Sequence, residues 1–358
     1  MTFEHDGQSV APGVTIGQTP VGPGCPAYVV AEAGVNHNGR LDDALRLVDV
    51  AAEAGAQAVK FQMFRADELT TAGAGVAPYQ AACGEARQRD LLARLELGDE
   101  DFAQIAAHCR AAGIEFLATP FSPADVDRLV RLGVRAIKIA SSDLNNPLLM
   151  ERAADTTLPL IVSTGAATES EIRASVYRLR CWDLDQRVIL LHCVSSYPTP
   201  LEAANLGAIR TLERVFGFPS GYSDHTTSTE TGGWAVAAGA RLLEKHMTLD
   251  RAAVGPDHAM SLDPPALGEY IAAVRRAEAA LGSGRLGMSA LEADVRAVAR
   301  RSVVVTRDLP AGTTLRADML TLKRPAGGIE PDQLDDLLGR ELATDVTRDT
   351  MLTWDMIR

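Results

Sequence analysis

Between Gly221 and His246 the chain reads GYSDHTTSTETGGWAVAAGARLLEKH, and two short apolar runs in it lead to histidines, His225 and His246. Side chains alternate across a strand. If both runs are strands, Ser223 and His225 share one face, and so do Glu244 and His246. The Ala-rich segment between them, Thr229 to Ala238, is helix-like, so the two strands would be parallel and consecutive. Both imidazoles would then stand at C-terminal strand ends, where such folds keep their chemistry. Two neutral imidazoles with water or substrate oxygens make an open divalent-metal site. The competing reading is one buried structural histidine and one surface histidine.

A second set of residues could hold an anion. GAQAVK (Gly55 to Lys60), GVRAIK (Gly133 to Lys138) and GARLLE (Gly239 to Glu244) form a weak internal repeat. In each, a glycine suited to a left-handed helix cap precedes a short apolar strand, and a charge stands five residues after the glycine. In AVKFQMF, Lys60 and Gln62 share a face. A charge at the end of a buried strand must be compensated. One reading is an internal ion pair, such as Lys60 or Lys138 with Glu32 or Glu244; the other has both lysines converging on an anion at the mouth of the fold. Hydroxyls gather at the same level: Thr119, Ser141, Ser142, Ser163 and Ser223 all end or follow strands. One such hydroxyl is ordinary turn chemistry, but the set beside two lysines suggests a pocket for phosphate and carboxylate.

The elements that must position these groups follow one pattern. Val14–Gly17 reads as a short strand within an irregular lead-in, residues 1–27. Strands are expected at YVVAEAG, AVKFQMF, EFLAT, AIKIA, LIVST, VILLHC, the run before His225 and the run ending at His246. Helices are expected at Leu41 to Gly55, Asp99 to Ala112, Pro123 to Leu132, Glu169 to Arg180, Leu206 to Val215 and Leu267 to Leu281. The stretch from Thr70 to Arg89 lacks a period and reads as a long loop. Eight strands alternating with helices imply a parallel sheet, and the count favours a (β/α)8 TIM barrel.

Composition narrows the class. With 46% hydrophobic and 23% charged residues in 358, the chain has the make-up of a soluble globular enzyme with room for a barrel and a small module. Its net charge of −12 argues against nucleic acid or an anionic membrane as partner. No apolar run reaches transmembrane length and no signal peptide is read. Five cysteines without CxxC spacing suggest free thiols in a reducing cytoplasm.

The runs AEAGVNHNG, VKFQMF, TPFS, IKIASSD, STGA, LLHC, SYPTP, GYSDHT, EKHMTLDR and GPDHAMSLDP, in this order, resemble those of the sialic acid synthases, which make N-acetylneuraminate, legionaminic or pseudaminic acid. The resemblance implies a TIM barrel over residues 1–281, a linker over 282–300 and an antifreeze-like (SAF) domain over 301–358. It also implies condensation of phosphoenolpyruvate with an aldehyde sugar, N-acetylmannosamine or a 2,4-diacetamido-trideoxy hexose. The product would be a nine-carbon 3-deoxy-2-ulosonic acid, with phosphate released. By the same resemblance, Lys60, Thr119, Lys138, Ser141, Ser163 and Ser223 match donor-binding positions, and Gln62 matches a polar contact between the two substrates. Glu32 and Glu244 are acid/base candidates, and His225 and His246 match the ligands of a divalent metal, usually Mn2+, with Mg2+ or Co2+ as alternatives. Tyr197 and Asp257 match acceptor contacts, and Arg324 matches an arginine that a neighbouring subunit inserts, which implies a domain-swapped homodimer. The chain departs from the family at Ser195, where asparagine is frequent, which leaves local substrate contacts open. Two other classes compete: a Schiff-base aldolase using Lys60 or Lys138, and a non-catalytic sugar- or ice-binding protein.

Overall fold

Eight parallel strands make the central sheet: β3 (Tyr28–Gly34), β4 (Ala58–Met63), β5 (Glu115–Pro120), β6 (Ile137–Ile139), β7 (Leu160–Ser163), β8 (Val188–Cys193), β9 (Ser220–Asp224) and β10 (Leu242–His246). They follow a hairpin, β1 (Val14–Ile16) and β2 (Thr19–Val21), inside the segment expected to be irregular. The computed structural model describes residues 13–77 and 84–358. Cys83, residues 1–12 of the expected lead-in and part of the loop expected between Thr70 and Arg89 lie outside that range. The hydrogen-bonded order is β5-β4-β3-β10-β9-β8-β7-β6, and β5 and β6 lie against each other, so the sheet curls into a TIM-like barrel.

Helices α1 (Leu41–Glu53), α4 (Asp99–Ala112), α5 (Pro123–Leu132), α6 (Pro147–Ala154), α7 (Glu169–Cys181), α8 (Gly207–Phe216), α9 (Thr231–Ala237) and α10 (Pro264–Leu281) alternate with the strands. Two short extra helices, α2 (Ala66–Leu69) and α3 (Gln88–Leu95), lie between β4 and α4. Helix α5 shows how sequence sets the boundaries. Ser122 accepts a hydrogen bond from Asp125 N, Pro123 opens the first turn, and Gly133 ends the helix at φ 77°. Gly55 and Gly239, the repeat's other glycines, also have positive φ, 85° and 107°.

Strand alternation divides the core. Outward residues such as Val29, Phe61, Phe116, Val162, Leu190 and Leu243 pack against the helices. Inward residues Val30, Ala58, Leu117, Ile161, Ile189 and Leu242 form a second apolar layer, closed by Val14, Ile16 and Val21 of the hairpin. One step further along seven of the eight strands the inward residues are polar: Glu32, Lys60, Thr119, Lys138, Ser163, Ser223 and Glu244; β8 instead continues with apolar Leu191. The hairpin thus plugs the N-terminal end with hydrocarbon, and the C-terminal end is left for chemistry.

The chain divides into units at Met1–Gly282 and Ser283–Arg358. Part of the stretch expected to be a linker is ordered as α11 (Ala293–Ala299). In the second unit, β11 (Ser302–Val305) pairs antiparallel with β12 (Leu320–Lys323) over a small core that includes Val303, Val305, Leu337, Leu342 and Leu352.

Candidate active site

The polar layer opens into a cavity of about 510 Å³. Its walls include Glu32, Lys60, Gln62, Thr119, Lys138, Ser141, Ser163, Tyr197, Ser223, His225, Glu244, His246 and Asp257. Every barrel residue singled out from the sequence is therefore in one place. Arg324 belongs to the other unit, where it is exposed just after β12.

Two lysines and two carboxylates form the floor. Lys60 Nζ lies 2.7 Å from Glu32 Oε2 and donates to Thr119 Oγ1 at 2.8 Å. Lys138 Nζ donates to Ser163 Oγ at 2.7 Å and to the Ile139 carbonyl at 3.2 Å. Glu244 stands between them, 3.7 Å from each ammonium, and accepts a hydrogen bond from Ser223 Oγ at 2.9 Å. Both readings of the buried charges hold together: the lysines are ion-paired, and they line a cavity.

The two carboxylates are pushed apart in acidity. Complete burial raises Glu32, helped by the charge of Glu244, and outweighs Lys60, so its pKa reaches about 7. Burial would raise Glu244 as well, but Lys138 and Lys60 together, with the Ser223 hydrogen bond, hold it down at about 2. Glu244 is thus the permanent anion, and Glu32 exchanges a proton near neutrality, the division of labour that acid/base catalysis needs. Burial lowers Lys138, whereas Glu244 and Glu32 more than offset burial at Lys60, which stays charged.

Backbone detail places the upper rim. A β-bulge between Glu32 and Gly34 bends the end of β3. Gly34 has φ 55°, and a Cβ there would lie 3.4 Å from Glu32 Oε1 and 3.5 Å from both Asp257 Oδ2 and Gln62 Nε2. Those three polar groups therefore meet around one glycine. Burial raises Asp257 to about 6. Asn36 Nδ2 donates to the Met247 carbonyl and to Ser261 Oγ, and Ser261 Oγ donates to the Asp257 carbonyl at 2.6 Å, which ties the Asp257 loop to β3.

His225 and His246 follow from paired strands, with Glu244 opposite Ser223 and Lys245 opposite Asp224. Their rings lie 5.5 Å apart, and the Tyr197 ring is 4.4 Å from that of His225. His225 Nδ1 lies 2.7 Å from the Val194 carbonyl, so it carries the proton and donates, and Nε2 keeps its lone pair. His246 Nδ1 is buried without a hydrogen-bond partner. Burial lowers both imidazoles, and at His246 the neighbouring His225 lowers the pKa further, so both are neutral. Neutral rings suit a divalent metal; His225 Nε2 has a long contact of 3.4 Å with Ser223 Oγ, whose own proton goes to Glu244, and His246 Nδ1 lies 3.8 Å from Asp257 Oδ2. Among the described residues no group of three or more His, Cys, Asp or Glu side chains is arranged to hold a metal. The imidazoles would therefore share the ion with water or substrate oxygens.

Several lining groups escaped the sequence reading. Cys193 faces inward beside Ser163, and a Cβ on Gly165 would run into its Sγ and Ser195 Oγ. Ser195, the departure from the family pattern, has its Oγ 3.2 Å from Ser141 Oγ. The alternation of β8 would have found Cys193; the orienting carbonyl of Val194 leaves no trace in side-chain pattern.

Comparison with known proteins shows the family and the fold. The NeuB family description matches residues 47–286, and the SAF domain description matches residues 300–358. Over 346 residues the chain is 38% identical to N,N'-diacetyllegionaminic acid synthase of Legionella pneumophila, covering 95% of this chain and 97% of that protein. The synthase of the same name from Campylobacter jejuni is 36% identical, over 90% of this chain and 98% of its own. A crystal structure of N-acetylneuraminic acid (sialic acid) synthetase from Leptospira borgpetersenii is 37% identical and superimposes with a TM-score of 0.73, covering 80% of this chain and 95% of that one.

Proposed function

Since the chain belongs to the NeuB family of sialic acid synthases and ends in a SAF domain, we propose that it condenses phosphoenolpyruvate with an N-acylated aldehyde amino sugar to give a nine-carbon 3-deoxy-2-ulosonic acid and phosphate. The observation that carries this reading is the cavity itself: two buried ammonium groups, a set of hydroxyls, an exchangeable carboxyl and two neutral imidazoles line the same 510 Å³.

Lys60 and Lys138, with Thr119, Ser141, Ser163 and Ser223, hold the donor's phosphate and carboxylate. Gln62 lies between donor and acceptor, and Tyr197 and Asp257 orient the acceptor. The donor's C3 attacks the aldehyde carbon, and the carbonyl electron pair moves to oxygen. Glu32, protonated below about pH 7, supplies the proton to that oxygen. The resulting positive charge at C2 is stabilised by the fixed negative charge of Glu244. Water adds at C2, Glu32 takes back a proton, and loss of phosphate with cleavage of the C2–O bond leaves the 2-keto acid. His225 and His246 would hold a divalent metal, Mn2+ with Mg2+ or Co2+ as alternatives, which when bound supplies Lewis-acid polarisation of the aldehyde oxygen.

Arg324 would complete the acceptor site of a second copy, in a domain-swapped homodimer, through its fixed fork of donors. The free thiols of Cys25, Cys109, Cys181 and Cys193 fit the cytoplasmic location this chemistry implies, and no described helix is long and apolar enough to cross a membrane.

The test is acceptor-dependent phosphate release from phosphoenolpyruvate, with a product whose mass equals donor plus sugar plus water minus phosphate. A Schiff-base aldolase is the second reading, favoured by the lowered pKa of buried Lys138. Borohydride trapping of a substrate on Lys138, with turnover surviving a chelator, would select it.

A further inference from the structure

Two charges on the outer side of the barrel take no part in the chemistry above. Ser223 and Glu244 point inward, so the next residues, Asp224 of β9 and Lys245 of β10, point outward. They stand opposite each other in the strand register. Lys245 Nζ lies 3.1 Å from Asp224 Oδ2, and both side chains are wholly buried. Their outward neighbours Tyr222 and Leu243 belong to the apolar layer under the helices. Hydrocarbon at both positions would fill that layer without taking two charges out of water. Packing alone therefore does not account for the pair.

Its hydrogen bonds converge on one turn. Asp224 Oδ1 accepts from Thr226 N at 2.9 Å, and Asp224 Oδ2 accepts from Thr231 Oγ1 at the start of α9. Lys245 Nζ donates to the Thr226 carbonyl at 2.6 Å and lies 5.2 Å from the centre of the Tyr270 ring of α10. His225 stands between Asp224 and Thr226, so the residue on each side of it is tied to the pair. Lys245 directly precedes His246. We propose that Asp224 and Lys245 are positioning residues: an ion pair behind the barrel wall that fixes the turn carrying His225 against the strand carrying His246, and so sets the two imidazoles for a shared divalent metal. This rests on the metal reading of the imidazoles, whereas the donor pocket of Lys60 and Lys138 is independent of it.

The test titrates two probes by calorimetry, Mn2+ alone and phosphoenolpyruvate alone, with denaturant unfolding as the control for folding. Asp224→Asn/Lys245→Met removes both charges, so neither is left buried without its partner, and keeps an oxygen for Thr226 N. Groups that orient metal ligands from behind change metal affinity by about 10- to 100-fold. The Kd for Mn2+ should rise by that factor, and the Kd for phosphoenolpyruvate should stay at its wild-type value. Asp224→Asn alone covers the case of a double variant that fails to fold, and it should weaken Mn2+ binding selectively as well. Wild-type affinity for Mn2+ in the folded variant would overturn the inference. Equal weakening of both probes would also overturn it, since the pair would then hold the barrel together rather than position the imidazoles. A wild type that binds phosphoenolpyruvate but no Mn2+ would remove the metal reading and the inference with it, and leave the donor pocket standing.

Discussion

Glu244→Gln removes one negative charge from between two buried ammonium groups, and its cost follows from the contacts. The Glu244 carboxylate lies 3.7 Å from both Lys60 Nζ and Lys138 Nζ and accepts the Ser223 hydroxyl at 2.9 Å. These partners overcome burial and hold its pKa at about 2, against an ordinary 4.5. At about 1.4 kcal/mol per pKa unit, the fold favours the ionised form by about 3 kcal/mol. Breaking buried ion pairs by removing one partner costs about 3–5 kcal/mol, which agrees. In the variant Lys60 keeps Glu32, while Lys138 keeps the Ser163 hydroxyl and the Ile139 carbonyl. Denaturant unfolding of the barrel at pH 7 should therefore show a loss of about 3 kcal/mol. A carboxylate with a depressed pKa stabilises above its unfolded value and loses that contribution as pH falls. Wild type and variant should accordingly converge between pH 4.5 and about 2. A loss below about 1 kcal/mol at pH 7, or curves that stay parallel down to pH 2, would refute the claim that Glu244 is the permanent anion of the floor.

Lys60→Ala and Lys138→Ala should each raise the donor KM, by the roughly 1.5–3 kcal/mol of a charged hydrogen bond, and change the acceptor KM far less. Glu32, raised to about 7, should give a limb in the pH–rate profile near that value, and Glu32→Gln should abolish the limb. The linkage sign is opposite to that of Glu244: its stabilisation is complete below pH 4.5 and is lost as pH rises through about 7. His225→Ala should abolish calorimetric Mn2+ binding together with turnover, whereas EDTA treatment of the wild type should be reversed by Mn2+. Mixing inactive Arg324→Ala chains with inactive His225→Ala chains should restore part of the activity if the arginine acts in trans; no recovery after proven subunit exchange would confine it to its own chain or exclude it.

The barrel was legible because strand and helix differ in period and because glycines such as Gly133 punctuate them. The polar layer was legible because Lys60, Lys138 and Glu244 recur five residues after a glycine. Strand alternation then placed Gln62 above Lys60 and His246 above Glu244. Other features had weaker signals. Helix α6 is eight residues long and follows the SSDLNN turn, so its period is too brief to stand out. Helix α3 begins in the last two residues of the stretch expected to be a loop and runs on to Leu95; it was not expected, since three of its eight residues, Leu91, Leu92 and Leu95, are buried in a cluster that only the folded chain assembles. The hairpin at Val14–Val21 gave one visible strand, but its role as a plug depends on the barrel interior beneath it. The proton exchange assigned to Glu32 was not readable from sequence, because its acidity depends on burial and on the shared distances to Lys60 and Glu244.

The central claim is that water adds at C2 of the donor after the carbon–carbon bond forms. It is tested most directly with phosphoenolpyruvate carrying 18O in the bridge between C2 and phosphorus, incubated with an amino sugar acceptor and Mn2+. The account predicts an acceptor-dependent nine-carbon product and phosphate that carries the label, because the C2–O bond breaks. Unlabelled phosphate, or labelled pyruvate formed without acceptor, would contradict it.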